Sequence, residues 1–395
     1  MPTRVALVSD ADSITAVLAA RLARSATVAT FATLPAGVAC DVLVYRPRRG
    51  PRGGPDLAQA SDLVAAAPGT GARRLVLLSS AEVYEPSHEH PGLTPEPPAL
   101  APHRLGPLAR SWAELEEKAA AVGMELVILR PAAVVAPGSP DFLGRMLARR
   151  LAFSLPGLDP SIQLLDPEDL AEAVALAVER GAPGVYHVAP AGTVPVRVAI
   201  RLAGARRLPL PAFLQRLSAS PGEIAHLRYP ATVSGAKAER ELGFVPRRTS
   251  AQAIAAATGG DPEAAPACDD YGMSEPYIRA YGRTLFRFLH DVYWRIEWQG
   301  IENVPRQGAA VLTGVHRGFM PWDGVMALHL LGREIGRYPR FLIHPCLVKF
   351  PFLANYMTKL GGILACQENA DWVLARGELL GMFPEGIQGA FTMYR

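Results

Sequence analysis

The chain has 395 residues, of which 49% are hydrophobic and 19% are charged, and this composition indicates a globular rather than a disordered protein. Its formal net charge of +3 is too small to argue for a nucleic-acid partner, and we expect none. The four cysteines form no Cys-x-x-Cys pair, so we expect reduced thiols and no metal site. No apolar run reaches the roughly 18 residues of a spanning helix, and no signal peptide is recognised.

The first 250 residues are predicted to alternate between strands and helices. Short apolar runs are typical of buried strands, and they occur at Val5–Val8, Asp41–Tyr45, Arg74–Ser79 and Leu126–Leu129. Helical spacing of apolar residues falls between them, at Ser13–Arg24, Asp56–Ala67 and Trp112–Val122. This alternation predicts an α/β fold in which helices cover a doubly wound parallel sheet.

Several phrases in this half resemble one enzyme family. They are Leu77–Tyr84, Val127–Pro131, Asp166–Ala171, Gly184–Ala189 and Lys237–Pro246. In this order they are similar to the extended short-chain dehydrogenases, the NAD-dependent epimerase/dehydratase family. The resemblance implies a Rossmann-like domain over residues 1–250, with a dinucleotide site at the first strand-to-helix turn.

The residues that such a site needs are replaced. The glycines of a dinucleotide-binding turn let the backbone approach the pyrophosphate, and this chain has Asp10, Ser13 and Ala16 at the matching positions. Leu108 and Trp112 stand where the family has its catalytic Tyr and Lys. We therefore expect a degenerate domain that binds no NAD(P) and needs no cofactor.

Residues 251–270 are rich in small residues, Gly and Pro, and they predict a linker before a second domain at residues 271–395. That domain is predicted to open with a helix over Glu275–Asp291. One face of this helix is apolar and aromatic, and another carries arginines at 279, 283 and 287. Such a helix either lies in a membrane interface or packs on its own core with its arginines in water.

The candidate chemistry of the second domain lies in two short stretches. His316 and Asp323 follow the apolar run Ala309–Leu312, and Phe383–Gly386 follows the predicted strand Leu379–Phe383. A histidine that takes a proton from a hydroxyl, held by a carboxylate, is the equipment of a general base.

Four phrases of this domain resemble a second family. They are Gly300–Pro305, Gly314–Gly318, Gly361–Ile363 and Phe383–Gly386. In this order they are similar to the lysophospholipid/glycerol acyltransferases. The resemblance implies that His316 deprotonates an acceptor hydroxyl and that Asp323 orients it. It also implies that the substrates contact Arg317, Gly318, Phe383, Pro384, Glu385 and Gly386.

By the same resemblance, the donor is acyl-CoA or an acyl-carrier protein, and the acceptor is a lipid or glycerol hydroxyl. The protein is then expected to be cytoplasmic and peripheral on the inner membrane face. A thioester is already activated, so a base and correct positioning suffice without a metal.

The second domain departs from the family pattern in three ways. Six residues separate His316 from Asp323, where four are usual, and the extra turn contains Pro321. The chain has Cys366-Gln367-Glu368 where glycerol-phosphate enzymes place an Arg, which favours a neutral acceptor. Phe383–Gly386 continues with Ile387-Gln388-Gly389, where the family usually has Thr-Arg-Ser. The chain ends at Arg395, and we expect the domain to be incomplete. Two alternatives stay open: an NAD-dependent epimerase or dehydrogenase activity, and a non-enzymatic lipid-binding scaffold.

Overall fold

The computed structural model describes residues 2–50, 53–87, 92–94, 105–211, 221–265, 267–316, 320–350 and 352–386. The chain divides into two compact units. The first unit comprises Met1–Pro86 with Thr94–Ala265, and the second comprises Ser87–Leu93 with Pro266–Arg395. Among the described helices, none is long and apolar enough to cross a bilayer.

The first unit is built on a parallel sheet, which has six strands within the described residues. Its order is Gly184–Val188, Glu125–Pro131, Arg74–Leu78, Val42–Tyr45, Thr3–Val8 and Ala26–Phe31. The central strands are apolar on both faces because helices cover both sides of a parallel sheet, and Val42–Tyr45 is buried throughout. This confirms the predicted α/β class and its Rossmann-like sheet.

Helices and short strands complete the first unit. The helices are Ser13–Leu22, Leu57–Ala66, Pro107–Ala120, Phe142–Leu147, Pro167–Arg180, Val196–Leu202, Pro221–His226 and Ser250–Thr258. The short strands are Ala133–Val134, Leu151–Ser154, Ser161–Ile162, Leu164–Leu165, Val194–Pro195, Arg206–Pro209 and Thr232–Val233, and a further strand is Leu93–Thr94.

The stretch predicted as a linker differs in its first part. Residues 250–258 form a helix rather than an extended tether. Thr249 caps this helix in a reciprocal capping box with Gln252, and Ala253 and Ile254 are fully buried. A capped run of alanines has high helix propensity, and this outweighs the impression of a linker that its small residues give.

The second unit carries its own parallel sheet, with four strands in the part of the chain that is described. The order is Ala310–Thr313, Leu379–Met382, Arg340–Ile343 and Ile363–Leu364. Its helices are Glu275–Arg283, Leu285–Phe288, Trp322–Glu334, Leu353–Lys359 and Gln367–Ala375. The unit is therefore a second α/β region, as predicted.

The segment before this sheet departs from the prediction in two places. The helix over Glu275–Asp291 is interrupted at Thr284, whose φ of −120° and ψ of −94° are not helical, and it ends in a π-helical turn at Leu289–Tyr293. The alternation of side chains over residues 293–298 predicts a strand, but in the described part of the chain these residues form none, and Arg295 has a φ of 53°. A left-handed residue in the middle breaks the extended backbone that a strand needs.

Candidate active site

His316 and Glu385 lie where two neighbouring parallel strands end. Thr313 pairs with Met382 in the register of the strands Ala310–Thr313 and Leu379–Met382, and the Gly314 backbone N–H donates to the Met382 carbonyl at 3.2 Å. The two stretches that were singled out in the sequence, about 70 residues apart, therefore leave the sheet side by side. The carboxyl ends of parallel strands are the usual place for ligand sites in open α/β sheets.

The imidazole of His316 contacts the carboxylate of Asp323. Nδ1 of His316 lies 2.7 Å from Oδ2 of Asp323. An ionised carboxylate only accepts, so Nδ1 carries the hydrogen, and Nε2 is left with the lone pair that can take a proton. The turn at residue 321 brings the pair together despite the long spacing, because Asp323 lies in the first turn of the helix Trp322–Glu334.

The backbone around His316 is held by Glu385. The His316 backbone N–H donates to the carboxylate of Glu385, and this hydrogen bond lowers the pKa of the Glu385 carboxyl below its ordinary value. Glu385 thus binds the protein itself in this structure, rather than standing free for a substrate. It ties the end of one strand to the end of the next.

Phe383 packs against the base and against the strand beyond it. Its ring lies 5.0 Å from the His316 ring and is stacked on Phe341 at 5.7 Å. A Cβ on Gly381 would come within 2.5 Å of the Phe341 ring, so glycine at this position makes room for the stack. The two aromatic rings form the floor beside the histidine.

An apolar cavity of about 120 Å³ opens beside these groups. His316, Phe383 and Gly386 line it together with apolar side chains from three other segments. These are Val325, Leu328, Phe341, Leu342, Ile343, Leu347, Met357 and Leu360. His316 therefore lies at the edge of a space suited to hydrocarbon, as in many ligand pockets that pair an apolar lining with few polar groups.

The other predicted site residues divide into three sets. Arg317 and Gly318 lie outside the described residues. Pro384 is exposed and Gly386 lines the cavity with a φ of 58°. No local signal in the sequence marks Phe341 or Met357, because each comes from a segment without a motif and joins the site only through the fold.

In the first unit, the turn that matches the dinucleotide site of the family is occupied by charged side chains of the chain itself. Asp12 caps the helix Ser13–Leu22 by accepting from the Thr15 backbone N–H at 2.8 Å, and it pairs with Arg46 at 2.8 Å. Burial raises the pKa of the Asp12 carboxyl. The Thr15 N–H and the Arg46 guanidinium together lower this pKa by more than burial raises it, so the net shift is downward. A carboxylate thus occupies the helix N-terminus, which otherwise favours a phosphate.

The remaining positions of that turn are also committed to the protein. Asp10 pairs with Arg48 at 3.0 Å, and Ser13 donates its hydroxyl to the Pro137 carbonyl at 2.9 Å. Ala16 lies within the helix and offers no polar group. Asp10 therefore lies in the first strand-to-helix turn, and Ser13 and Ala16 lie in the first turn of the helix.

The two positions that match the family's catalytic Tyr and Lys hold residues that pack in the core of the first unit. Trp112 is buried and donates its indole N–H to Glu82 at 3.2 Å, with the Arg49 guanidinium 4.9 Å from its ring. Leu108 packs against the core on the same helix. Ser79 is buried and donates to Glu116 at 2.5 Å, so its hydroxyl serves an internal network.

Comparison with known proteins agrees with both resemblances. Residues 56–189 match the NAD dependent epimerase/dehydratase family, and residues 295–393 match the Acyltransferase family. The chain therefore contains one region similar to the epimerase/dehydratase family and a second region similar to the acyltransferase family. The second match supports acyl transfer as the general activity.

Curated relatives come from mycobacteria. An uncharacterized protein of Mycobacterium tuberculosis is 35% identical over 123 residues, which are 31% of this chain and 34% of the relative. A second uncharacterized protein of the same organism is 28% identical over 199 residues, 46% of this chain and 53% of the relative. The chain thus spans a third to a half of the length of these relatives.

Solved structures resemble the first part of the chain. A UDP-glucose 4-epimerase of Thermus thermophilus in complex with NAD is 19% identical, with a TM-score of 0.50 over 65% of this chain and 98% of the other. A dTDP-glucose 4,6-dehydratase of Streptomyces venezuelae is 18% identical, with a TM-score of 0.50 over 65% and 96%. At these identities the likeness establishes the fold alone.

Proposed function

We propose that the protein transfers an acyl group from acyl-CoA or an acyl-carrier protein to a hydroxyl of a lipid or glycerol acceptor. His316 is the general base and Asp323 positions it. The family match supports acyl transfer in general, and the donor, acceptor and residue roles are added by this proposal. The observation that carries it is the 2.7 Å contact between His316 and Asp323 at the rim of an apolar cavity.

The reaction needs one proton transfer and one exchange of bonds. Nε2 of His316 takes the acceptor's hydroxyl proton as the oxygen attacks the thioester carbonyl. A new C–O ester bond forms, the C–S bond breaks, and the thiolate leaves and takes up the proton from the imidazolium. Asp323 stabilises the imidazolium while it carries that proton.

The cavity lining suits the acyl chain of the donor. Its walls are aliphatic and aromatic, and its rim holds His316. Binding of the chain there would bring the thioester carbonyl to the base, and such positioning accounts for much of an enzyme's rate gain. Cys366, Gln367 and Glu368 follow Gly361–Ile363 without a cation, so the proposal favours a neutral acceptor over a phosphate monoester.

For the first domain we propose no NAD(P) binding. The support is that Asp12 already occupies the helix N-terminus where a pyrophosphate would bind, and that Arg46 and Arg48 are paired with Asp12 and Asp10 rather than with a phosphate. A fluorescence titration with NADH tests this point. Saturable binding would favour the alternative hypothesis of an NAD-dependent epimerase or dehydrogenase activity. We further propose that the protein works on the cytoplasmic side of the inner membrane as a peripheral protein.

Acyl transfer is tested directly on the purified protein. Labelled acyl-CoA and acyl-carrier protein are offered with lysophosphatidate, monoacylglycerol, diacylglycerol or a long-chain alcohol as acceptor. We expect transfer to a neutral acceptor and its loss in His316→Ala by about 10²- to 10⁴-fold. Undiminished transfer by His316→Ala would refute the assignment of the base. Absence of transfer to every acceptor would favour the lipid-binding scaffold.

A further inference from the structure

The segment that leads into the second sheet exposes an unusual set of apolar side chains. Phe288 is 50% exposed, Val292 58%, Tyr293 66% and Trp294 40%, and Leu285 is also exposed. Only Ile278, Phe286 and His290 of this segment are buried. Tyr277, Tyr281 and Leu289 also pack partly against the core, so the exposed apolar side chains are concentrated in the second half of the segment. Contiguous exposed apolar residues of this kind mark interaction surfaces.

The same segment is basic. Residues 275–295 contain four arginines and two carboxylates, which gives a net charge of +2. Arg279, Arg283 and Arg287 line a groove together with Arg333 and Asp291. The pairs Arg279–Glu275 and Arg287–Asp291 lie on the exposed surface, where ion pairs hold their partners weakly. The arginines can therefore turn to external anions at little cost.

The exposed rings lead to the active site. The ring centroids of Phe288 and Tyr293 are 6.5 Å apart, those of Tyr293 and Trp294 are 5.6 Å apart, and those of Trp294 and Trp322 are 5.9 Å apart. Trp322 directly precedes Asp323 in the helix that orients His316. The row of aromatic rings thus ends at Trp322, next to the carboxylate that contacts His316.

Exposed apolar residues also flank His316 itself. Val315 is 66% exposed and Met320 is 37% exposed. A surface that combines Trp and Tyr rings, aliphatic side chains and a basic margin matches the interfacial region of a bilayer, where such rings sit at the headgroup level and arginines meet lipid phosphates.

We propose that Leu285, Phe288, Val292, Tyr293 and Trp294, bordered by Arg279, Arg283 and Arg287, form a docking face for a bilayer with anionic headgroups. The docking face sets His316 at the membrane surface, so that acceptor lipids reach it from the bilayer rather than from water. The acceptor part of this inference rests on the proposed acyltransferase function. The docking itself does not.

Vesicle binding tests the docking face without any chemistry, in a His316→Ala background. Co-sedimentation compares phosphatidylcholine vesicles with vesicles that also contain phosphatidylglycerol. We expect tighter binding to the anionic vesicles, weakened by salt. We also expect a blue shift of tryptophan emission, as Trp294 enters a less polar medium.

Two pairs of variants separate charge from apolar insertion. Each arginine near an anionic surface contributes about a fivefold gain in affinity, so Arg283→Ala/Arg287→Ala should bind anionic vesicles about 25-fold more weakly. The matched control Arg206→Ala/Arg207→Ala removes two exposed arginines of the first unit and should bind like the parent. Phe288→Ser/Tyr293→Ser should lose the blue shift, whereas Leu151→Ser/Val245→Ser, which changes exposed side chains elsewhere, should keep it.

Each other outcome overturns the proposal. Equal binding by the docking-face variants and their controls would place membrane contact elsewhere. A change of oligomeric state in Phe288→Ser/Tyr293→Ser, with no vesicle binding by the parent, would make the face an interface between copies of the chain.

Activity then separates the two proposals. Docking-face variants of the protein with His316 intact should keep transfer to a short-chain, water-soluble monoacylglycerol and lose transfer to the same acceptor class in vesicles. Loss of both would refute acceptor delivery from the bilayer, while vesicle binding without any transfer would refute only the proposed function.

Discussion

The sharpest test of the candidate site is the replacement Asp323→Asn, because it keeps the shape of the side chain and removes its charge. In the structure, Oδ2 of Asp323 accepts from Nδ1 of His316 at 2.7 Å, and Oδ1 accepts from the Gly324 backbone N–H at 2.8 Å. An asparagine can preserve one of these hydrogen bonds. It cannot stabilise the imidazolium that forms when His316 takes the acceptor's proton.

The size of the effect follows from exposure. The Asp323 side chain is 35% exposed and that of His316 is 14% exposed. The effective dielectric constant around the pair is therefore taken to lie between the value near a protein surface and the value in water. For unit charges about 4 Å apart, the attraction is about 4 kcal/mol near a protein surface and about 1 kcal/mol in water. Losing it should lower kcat by between about fivefold and about a thousandfold, with little change in KM.

The assay is steady-state transfer from labelled acyl-CoA to the acceptor that the wild-type protein prefers. Asp371→Asn, which changes an exposed carboxylate that accepts from the Gln367 side chain at 2.7 Å, serves as the control and should match the wild type. His316→Ala/Asp323→Asn should be no slower than His316→Ala, because a positioning group has nothing left to position. Wild-type kcat in Asp323→Asn, or additive losses in the double variant, would refute the positioning role.

Four further outcomes are expected. Glu116→Ala breaks a buried ion pair and should lower the free energy of unfolding by about 3 to 5 kcal/mol, while the exposed neighbour Glu117→Ala should change it little in the same urea titration. Burial, and then the nearby positive charges, lower the pKa of His329, so the unfolded chain binds more protons. Stability should fall as the pH drops below about 6.5, and His329→Leu should flatten that fall in thermal scans. Gly381→Ala should displace the aromatic floor, cost about 1 to 3 kcal/mol of stability and reduce transfer. Glu385→Gln should reduce kcat. Because the pKa of Glu385 is lowered in the folded protein, the wild type should lose the stability that this carboxylate contributes only as the pH falls below the usual carboxyl range.

The core strands of both sheets could be predicted because a strand that is buried on both faces appears in the sequence as a short uninterrupted run of apolar residues. Val42–Tyr45 and Leu379–Met382 are short runs without polar breaks, and the structure has strands there. Ala26–Phe31 was missed because it is an edge strand, half exposed, that alternates Ala and Thr with few large side chains. Propensity is weak at such edges, and pairing with Thr3–Val8 makes the strand.

The candidate site was predictable only in its polar part. The residues His316 and Asp323 carry chemistry and therefore stand out in a sequence. The apolar cavity does not, since Met357 and Leu360 look like any core residues until the sheet brings their helix to the base. The strand predicted at residues 293–298 was wrong because almost all of these side chains are exposed, and within the described residues no neighbouring strand pairs with them.

The bond between the His316 backbone and Glu385 spans 69 residues of sequence, and it has a consequence for how the protein is made. A contact of this separation forms only after the intervening chain has folded back, which is a slow, non-local event. His316 therefore cannot take the backbone position seen in the structure on a nascent chain before the strand Leu379–Met382 has been made and has paired. By the same logic, local opening of that one strand would silence the site while most of the molecule stayed folded.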